Sequence, residues 1–361
     1  MSLFKKSILL VAAFAQFSSV LFTGAAMAQT ASTVAATALP TGGVVRAGAA
    51  TISGGGTLAN PGLTINQTTN RAAIDWNTFN IGSSGAVNFV VPDAQSSTLN
   101  RVLDTNASQI FGSLSSNGQV FLLNPNGVVF GASASVNVGG LVATTHSLSN
   151  EDYMAGKTKF DRNGATGKII NEGTLKSSLG GYIALLAPDV RNSGVIVARA
   201  GTVALAAGDS IALNFDPNGS LTNVLATPSS VQALIDNKKI VAAPDGQVIV
   251  SAQAYNELTN AAINNSGTIS AGSIKKSGGK IMLDTSGTLT NSGTIKANSR
   301  VADGGTVALK GKLVLNSGTV SANGGTKGTS NGAVVDPAVT GKGGTVTLLG
   351  DRVGVIDGGF V

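Results

Sequence analysis

Few residues in this 361-residue sequence are able to support catalysis. His146 is the single histidine and cysteine is absent, so His-pair metal sites, thiol nucleophiles and thiolate metal sites are all excluded. A Ser-His-Asp triad could use only His146, and no Gly-x-Ser-x-Gly elbow lies near it. We therefore expect His146 to be an ordinary loop or strand-end histidine, and we predict no catalytic residue, no metal site and no cofactor.

Paired carboxylates are the remaining route to catalysis, because two of them suffice for glycoside hydrolysis. The candidates are Asp93, Asp104, Glu151, Asp152, Asp161, Asp189 and Asp209. None shows a distinguishing spacing, so an enzyme acting on polysaccharides is the least favoured alternative. Trp76 could stack on a ligand, but its alternating strand-like setting favours a core position.

The amino terminus resembles a secretory signal, which we predict to be residues 1–28. Lys5 and Lys6 precede an apolar stretch, and Ala26-Met27-Ala28 is a cleavage-site pattern. A retained anchor is the alternative, although the stretch is short for a bilayer span of about 20 apolar residues. From the signal we expect export by the general secretion machinery. Without the signal the net charge is +4 and the basic residues are not clustered, so we expect no nucleic-acid partner.

The segment Asn124-Pro125-Asn126-Gly127 predicts a tight turn, because apolar runs flank it on both sides. Pro125 fixes φ near the value that the second position of a type I or II turn needs. Asn126 tolerates a left-handed conformation, and Gly127 lets the chain leave the turn without steric cost. Taken alone, the pattern indicates strand, turn, strand.

The second half of the chain repeats a short unit of Asn-x-Gly-x-aliphatic followed by a Gly-led strand. The repeated asparagines are Asn171, Asn192, Asn265, Asn291 and Asn316. A unit this short cannot bury its apolar face alone, whereas stacked copies can. The pattern predicts an all-β parallel β-helix, a solenoid of about 13–16 coils if each uses about 20–25 residues. The asparagines would then form an amide ladder along one corner.

Three stretches interrupt the repeat and predict excursions from the solenoid. Residues 146–161 are polar. Residues 215–241 contain a second turn, Asp216-Pro217-Asn218-Gly219, followed by a predicted helical turn or two within Ser229–Asp236. Residues 251–263 predict another short helix from the spacing of their apolar residues. The fold class expected from the repeats is a single-stranded parallel β-helix with short helical or hairpin excursions.

Several motifs in fixed order resemble the two-partner secretion exoproteins, the filamentous haemagglutinin and haemolysin-type family of Gram-negative bacteria. They are Leu39-Pro40-Thr41-Gly42-Gly43, Ser108-Gln109-Ile110-Phe111-Gly112, Asn117-Gly118-Gln119-Val120-Phe121 and Asn124 to Gly127. The resemblance implies the right-handed fold and recognition by the periplasmic modules of a dedicated outer-membrane transporter. It also implies that Asn124, Pro125, Asn126 and Gly127 are a secretion motif. The Asn-Pro-Asn-Leu motif of some members is missing.

The resemblance also suggests a domain division and a function. We expect a two-partner secretion domain at residues 29–265, followed by repeat coils at 266–361 that continue or are truncated. The expected product is a secreted or cell-surface adhesin, with a host-cell or bacterial surface receptor or glycan as a further partner. The alternative is the amino-terminal carrier of a haemolysin or a contact-dependent inhibition toxin.

Overall fold

The computed structural model describes residues 34–256, 260–273, 278–325, 341–356 and 359–361. The predicted signal peptide lies outside these residues. Within the described part of the chain, no helix has the length and apolar character needed to cross a bilayer.

The described residues form short strands and a single short helix. The first strands are β1 (Val44–Ala47), β2 (Ala50–Gly56), β3 (Pro61–Gln67), β4 (Arg71–Trp76), β5 (Ala86–Val90), β6 (Ser97–Val102), β7 (Ser108–Ile110), β8 (Ser113–Ser116), β9 (Gln119–Leu123), β10 (Gly127–Phe130) and β11 (Ser135–Thr144). Next come α1 (Asn150–Met154), β12 (Lys159–Asp161), β13 (Lys168–Asn171), β14 (Thr174–Leu186), β15 (Asp189–Asn192), β16 (Val195–Val197), β17 (Thr202–Ala207), β18 (Ser210–Phe215), β19 (Leu221–Ala226), β20 (Ala233–Asn237), β21 (Ile240–Ala242) and β22 (Gln247–Ala252). The last are β23 (Ala261–Asn265), β24 (Thr268–Ser270), β25 (Lys280–Thr285), β26 (Thr288–Asn291), β27 (Thr294–Lys296), β28 (Thr306–Lys310), β29 (Leu313–Asn316), β30 (Thr319–Ser321), β31 (Thr345–Leu349) and β32 (Arg352–Val355).

These strands stack in parallel into three faces of a right-handed β-helix. Face 1 contains β5, β8, the first parts of β11 and β14, then β16, β21, β24, β27 and β30. Face 2 contains β4, β6, β9, the later parts of β11 and β14, then β17, β22, β25, β28 and β31. Face 3 contains β7, β10, β13, β15, β20, β23, β26, β29 and β32. The predicted fold class is therefore confirmed.

Alternation along each strand builds the interior of the solenoid. In β25, for example, Ile281 and Leu283 are buried inside, whereas Lys280 is exposed. Antiparallel pairs close the amino-terminal end, where β1 pairs with β4 and β2 pairs with β3. Such pairs cover strand edges that would otherwise be open to another chain.

The number of coils is smaller than the sequence predicts. Face 2 has ten rungs in the described residues, against the expected 13–16 coils. The estimate was too high because it assigned every residue after the signal to coils, including the terminal cap and the excursions.

A three-stranded antiparallel sheet, ordered β12-β18-β19, lies outside the solenoid and is called the outer sheet here. It packs on the outward side of face 2, where Phe121, Tyr153, Phe160, Tyr182 and neighbouring aliphatic side chains form a second buried core. This arrangement explains why face 2 strands such as β17 are apolar on both sides. The excursion predicted at residues 146–161 supplies α1 and β12, and the one after 215 supplies β19.

The described residues do not form either of the two helices predicted in the later excursions. The first prediction is wrong, because its residues 233–236 belong to β20, whose alternating burial and pairing with β15 and β23 make it a central strand. The second prediction covers residues 251–263, of which 251–252 belong to β22 and 261–263 to β23, while residues 257–259 lie outside the described residues. In a short run, the spacing of apolar residues is compatible with both the helical and the strand periodicity. Hydrogen-bonded pairing with a neighbouring strand on each side then favours the strand.

Candidate functional site

The Asn124 to Gly127 segment forms the turn between face 2 and face 3, which we call the 2–3 corner. It connects β9 to β10, and Gly127 N donates to Asn124 O at 3.0 Å. The side chain reinforces this turn, because Asn124 Oδ1 accepts from Asn126 N at 3.0 Å. Gly127 has φ +118°, whereas Asn126 is not among the residues with positive φ. The left-handed conformation expected to be available at Asn126 is therefore not used.

The amide of Asn124 is fully buried and binds the preceding 2–3 corner. Its Nδ2 donates to Asn106 O at 2.9 Å and to Ser108 Oγ at 3.0 Å. Asn126 adds a bond from its Nδ2 to Asp104 O at 2.7 Å. Two asparagine side chains thus fasten this corner to the loop that connects β6 to β7, two strands of the coil below.

The same corner also contacts the following coil. Asn124 N donates to Thr144 O at 3.0 Å, and Thr144 is the last residue of β11. A Cβ on Gly167 would lie only 2.5 Å from Pro125 O, so the returning chain packs directly on the turn. The motif therefore joins three successive coils, directly below the point where β11 leaves face 2 for α1 and the outer sheet.

A second set of asparagines stacks at the corner between face 3 and face 1. Five consecutive Nδ2-to-Oδ1 bonds of 2.6–2.8 Å connect Asn171, Asn192, Asn237, Asn265, Asn291 and Asn316 in that order. Each of these side chains is buried. The predicted residues thus lie in one row, and together they satisfy amide groups that would be costly to bury alone.

Sequence reasoning missed Asn237, which fills the 73-residue gap between Asn192 and Asn265. It is followed by Lys238-Lys239 where the other copies have a glycine two residues after the asparagine. The remaining signal was the aliphatic pair Ile240-Val241 at the repeat position.

The amide row has a direction. Every Nδ2 donates toward the carboxyl-terminal coil, so Asn171 Oδ1 at the other end is buried without a partner. Phe130 occupies the equivalent place in the coil before Asn171 and offers no polar group. At the far end, Asn316 Nδ2 donates to Phe360 O at 3.3 Å because its neighbour in register is Val355.

His146 lies where β11 passes into the outer excursion and is fully buried. Its Nε2 is 2.8 Å from Gly208 O, and Nδ1 has no partner. Burial lowers the pKa of His146, against the opposing effect of the Gly208 carbonyl. The side chain fastens the start of one excursion to the start of the other.

The carboxylates singled out in the sequence are engaged in local contacts. Asp189 pairs with Arg191 at 2.9 Å, and Asp152 pairs with Lys157 at 2.7 Å. Asp209 is bound by Arg162 at 2.6 Å; burial acts in the other direction, but that contact and the Ser230 bonds hold the pKa of Asp209 below its usual value. Within the described residues, no cluster of three or more histidine, aspartate or glutamate residues is arranged to hold a metal ion.

The sequence also matches known proteins. A family model described as TPS secretion domain matches residues 36–297. A heme/hemopexin-binding protein of Haemophilus influenzae (strain Rd) is 34% identical over 252 residues, which cover 68% of this chain and 27% of that protein. A second Haemophilus influenzae heme/hemopexin-binding protein is 40% identical over 111 residues, or 31% of this chain and 12% of that protein.

The same fold is found in a solved structure. The crystal structure of the HMW1 secretion domain from Haemophilus influenzae matches with a TM-score of 0.66 at 24% identity, covering 89% of this chain and 97% of that one. The match covers about a quarter or less of the length of these curated relatives. The ligands in their names are therefore properties of those longer proteins.

Proposed function

The chain belongs to the TPS secretion domain family, and on that premise we propose that the Asn124 to Gly127 corner is required for its export. As a family member, it is the secretion domain of an exoprotein that leaves the cell through a two-partner system. The partner implied is a cognate outer-membrane transporter. The residues that make export possible, and the role of the exported protein, are our proposals.

The observation that supports the proposed role is the connection of three coils at this corner. Asn124 bonds to Asn106 and Ser108 in the coil below and to Thr144 in the coil above. We propose that a chain emerging in an extended state closes this corner early, which sets the register of the coils that follow. Register matters here because a shift by one residue would turn apolar side chains outward along every strand.

The folded corner also limits how a transporter could recognise it. Asn124 and Gly127 are buried, whereas Pro125 and Asn126 are exposed. We therefore propose that the transporter engages the segment before the coils close, and that the closed corner then prevents return.

A co-expression experiment with the cognate transporter tests this role. Replacing Asn124 or Asn126 by alanine should abolish extracellular protein while the precursor is still made. The chain offers a matched control at Asp216, because Asp216-Pro217-Asn218-Gly219 is a turn of the same kind, with Gly219 N bonded to Asp216 O at 2.9 Å. Asp216→Ala should be exported normally, and normal export of both asparagine variants would refute the proposal.

We also propose that folding of successive coils biases export outward. Val307 lies in the solenoid interior, so Val307→Asp should prevent the carboxyl-terminal coils from closing. Extracellular yield should fall in proportion to the loss of folded coils, measured by protease resistance. Unchanged export of an unfolded variant would contradict this mechanism.

For the exported protein we propose an adhesive role at the cell surface, with a toxin carrier as the alternative. The heme or hemopexin binding of the relatives is not carried over, because the single histidine here is buried with its Nε2 engaged. Attachment of cells that display the protein to host or bacterial cells, compared with cells lacking it, tests adhesion. Killing of sensitive neighbours without attachment would favour the toxin carrier.

A further inference from the structure

The strands β2 and β3 extend face 1 at its amino-terminal end, and the outer edge of β2 is open. β3 pairs with β5, which pairs with β8, so the sheet of face 1 continues from β3 in one direction only. β2 pairs with β3 in antiparallel register, from Ala50 opposite Gln67 to Gly56 opposite Pro61. In the described part of the chain it pairs with no other strand. β2 therefore covers the edge of β3 but is itself the last strand of the sheet.

The hydrogen bonds of the β2–β3 hairpin identify the backbone groups that face this open edge. Thr57 and Asn60 exchange both of their backbone hydrogen bonds, at 3.1 and 3.2 Å, and Thr68 N donates to Ala49 O at 3.0 Å. Residues of an antiparallel ladder alternate between its two sides, so the odd-numbered residues of β2 point their N–H and C=O groups at β3. The even-numbered residues point theirs outward, where these groups have no hydrogen-bond partner among the described residues. They are Ala50, Ile52, Gly54 and Gly56.

This edge lacks the features with which proteins usually protect an exposed strand. β2 contains no charged residue and no proline, and the whole stretch 47–70 is without charge. Protected edges carry a lysine, a proline or a bulge, because unpaired N–H and C=O groups are a template for another chain. At seven residues, β2 is also longer than an average strand of about 5–6 residues. The open edge of β2 therefore has the character of a pairing site.

The residues of β2 match a second copy of the same strand that runs in the opposite direction. When Ser53 lies opposite Ser53 of the second copy, each Ile52 lies opposite a Gly54 and each Ala50 lies opposite a Gly56. Each of these pairs exchanges two hydrogen bonds, so every outward N–H and C=O of both strands is satisfied. The glycines leave room for the larger side chains, since a Cβ added to Gly54 would meet nothing within 4 Å.

The place of β2 in the solenoid allows two copies to meet in this way. The two-fold axis stands perpendicular to face 1, and all further strands of this face lie on the β3 side of β2. The two solenoids therefore extend in opposite directions from the shared strands and do not overlap. Leu58, at the tip of the hairpin, is 99% exposed. In this register it lies beside Gly48 of the second copy, so the pairing also covers an exposed apolar side chain.

We propose that β2 is a docking edge for a second copy of this chain, through which two exported molecules join by their amino-terminal ends. The inference goes beyond export and does not depend on it, because neither the secretion motif nor the amide row takes part. One strand pair buries less surface than the about 1,200 Å² of a stable interface. We therefore expect a dissociation constant in about the micromolar range.

Sedimentation of the purified mature protein over about 1–100 μM tests this dimer. Gly54→Lys should weaken self-association at least tenfold, or by about 1.4 kcal/mol, because the new side chain meets Ile52 of the second copy. The open space around Gly54 lets the variant fold. Gly54→Pro should have the same effect, because it removes an outward N–H that takes no part in the β2–β3 ladder.

The matched control is Ser135→Lys, which adds the same charge at an exposed position of face 1 inside the ladder and should leave self-association unchanged. A wild-type protein that stays monomeric over the whole range overturns the proposal. Self-association that both Gly54 variants leave unchanged also overturns it, because the interface would then lie elsewhere.

The absence of cysteine from the chain allows the register to be tested by cross-linking. Ser53 and Thr51 are both exposed and lie on the same side of β2. In the proposed register the two Ser53 Cα atoms are about 4.5 Å apart, as in a non-hydrogen-bonded antiparallel pair, and this separation suits a disulfide. The two Thr51 residues are about 14 Å apart, four residues along the strand, which is too far.

Ser53→Cys should therefore form a disulfide-linked dimer when its two thiols give up two protons and two electrons to a mild oxidant. Thr51→Cys should remain monomeric on a non-reducing gel. Equal cross-linking of the two variants would mean random contact and would contradict the register. A monomeric wild type whose Gly54→Lys variant is no longer exported would mean that the edge pairs with the transporter, and the proposal of a second copy would then be wrong.

Discussion

The two Asx-Pro-Asn-Gly turns of this chain provide an internal test of how the secretion motif works. Both have an oxygen of the first side chain bonded to the backbone N of the third residue, at 3.0 Å from Asn126 N to Asn124 and at 2.9 Å from Asn218 N to Asp216. Only Asn124 has an amide that can donate, and it uses both hydrogens on the preceding coil. Alanine at each first position removes the local bond in both turns but the connection between coils in only one.

The magnitudes follow from burial. Asp216→Ala removes bonds at a partly exposed turn, each with a net value of about 1 kcal/mol or less. Asn124→Ala removes four hydrogen bonds of a fully buried amide and leaves buried Ser108 Oγ without its donor, so the expected cost is about 2–4 kcal/mol.

The assay is urea unfolding followed by the fluorescence of Trp76, the single tryptophan, which is buried in β4 close in sequence to the cap. Its indole donates to Asn100 Oδ1 at 3.0 Å, so the probe reports on the same amino-terminal coils that the motif holds together. Asn124→Ala should lower the midpoint clearly more than Asp216→Ala. Equal shifts would show that the motif is only a turn and would refute the connection between coils as its physical basis.

Three further predictions concern the stacking itself. Gly246→Ala should destabilise the solenoid by about 1–3 kcal/mol, because its Cβ would lie 2.0 Å from Gly201 O in the rung below, while Gly343→Ala, with open space around it, should have little effect in the same thermal unfolding. Asn237→Leu should cost about 2–5 kcal/mol, since it removes the row bonds of two buried amides, at Asn192 Nδ2 and at Asn265 Oδ1. A loss below about 1 kcal/mol in urea unfolding would contradict the row as a stabilising element. In the fold, the pKa of His146 is lowered from its ordinary value, so the unfolded chain takes up the proton first as pH falls. Stability should therefore fall as pH decreases below about 6.5. His146→Gln should remove that dependence between pH 7.5 and 5.5.

The repeats made the fold predictable, and their departures account for what was missed. Asn171 and the later Asn-x-Gly copies identified the stacked corner, because an amide and a glycine recur there for geometric reasons. Asn237 was missed because Lys239 stands where the other copies have a glycine. The coil is kept there by the parallel pairing of β21 with β16, which does not depend on that residue type.

The outer sheet was beyond sequence reasoning for a different reason. Its strands β12 and β18 pair across about fifty residues of intervening chain, in the register Lys159 with Ala212 and Asp161 with Ser210. No local pattern specifies such a partner. The one visible sign was the apolar run on both sides of β17, which indicates a strand that is covered on its outward face.

The 2–3 corner is the place where the length of successive coils varies in this solenoid. Length changes at the Asn-x-Gly corner would break the amide row, so insertions are tolerated at a corner without such a row. The outer sheet uses that freedom, and it covers face 2 as far as Ile249. The Asn124 corner does not use it, because it is short and bonded to both neighbouring coils. The export motif therefore lies where the solenoid is held most closely, directly before the first excursion from face 2.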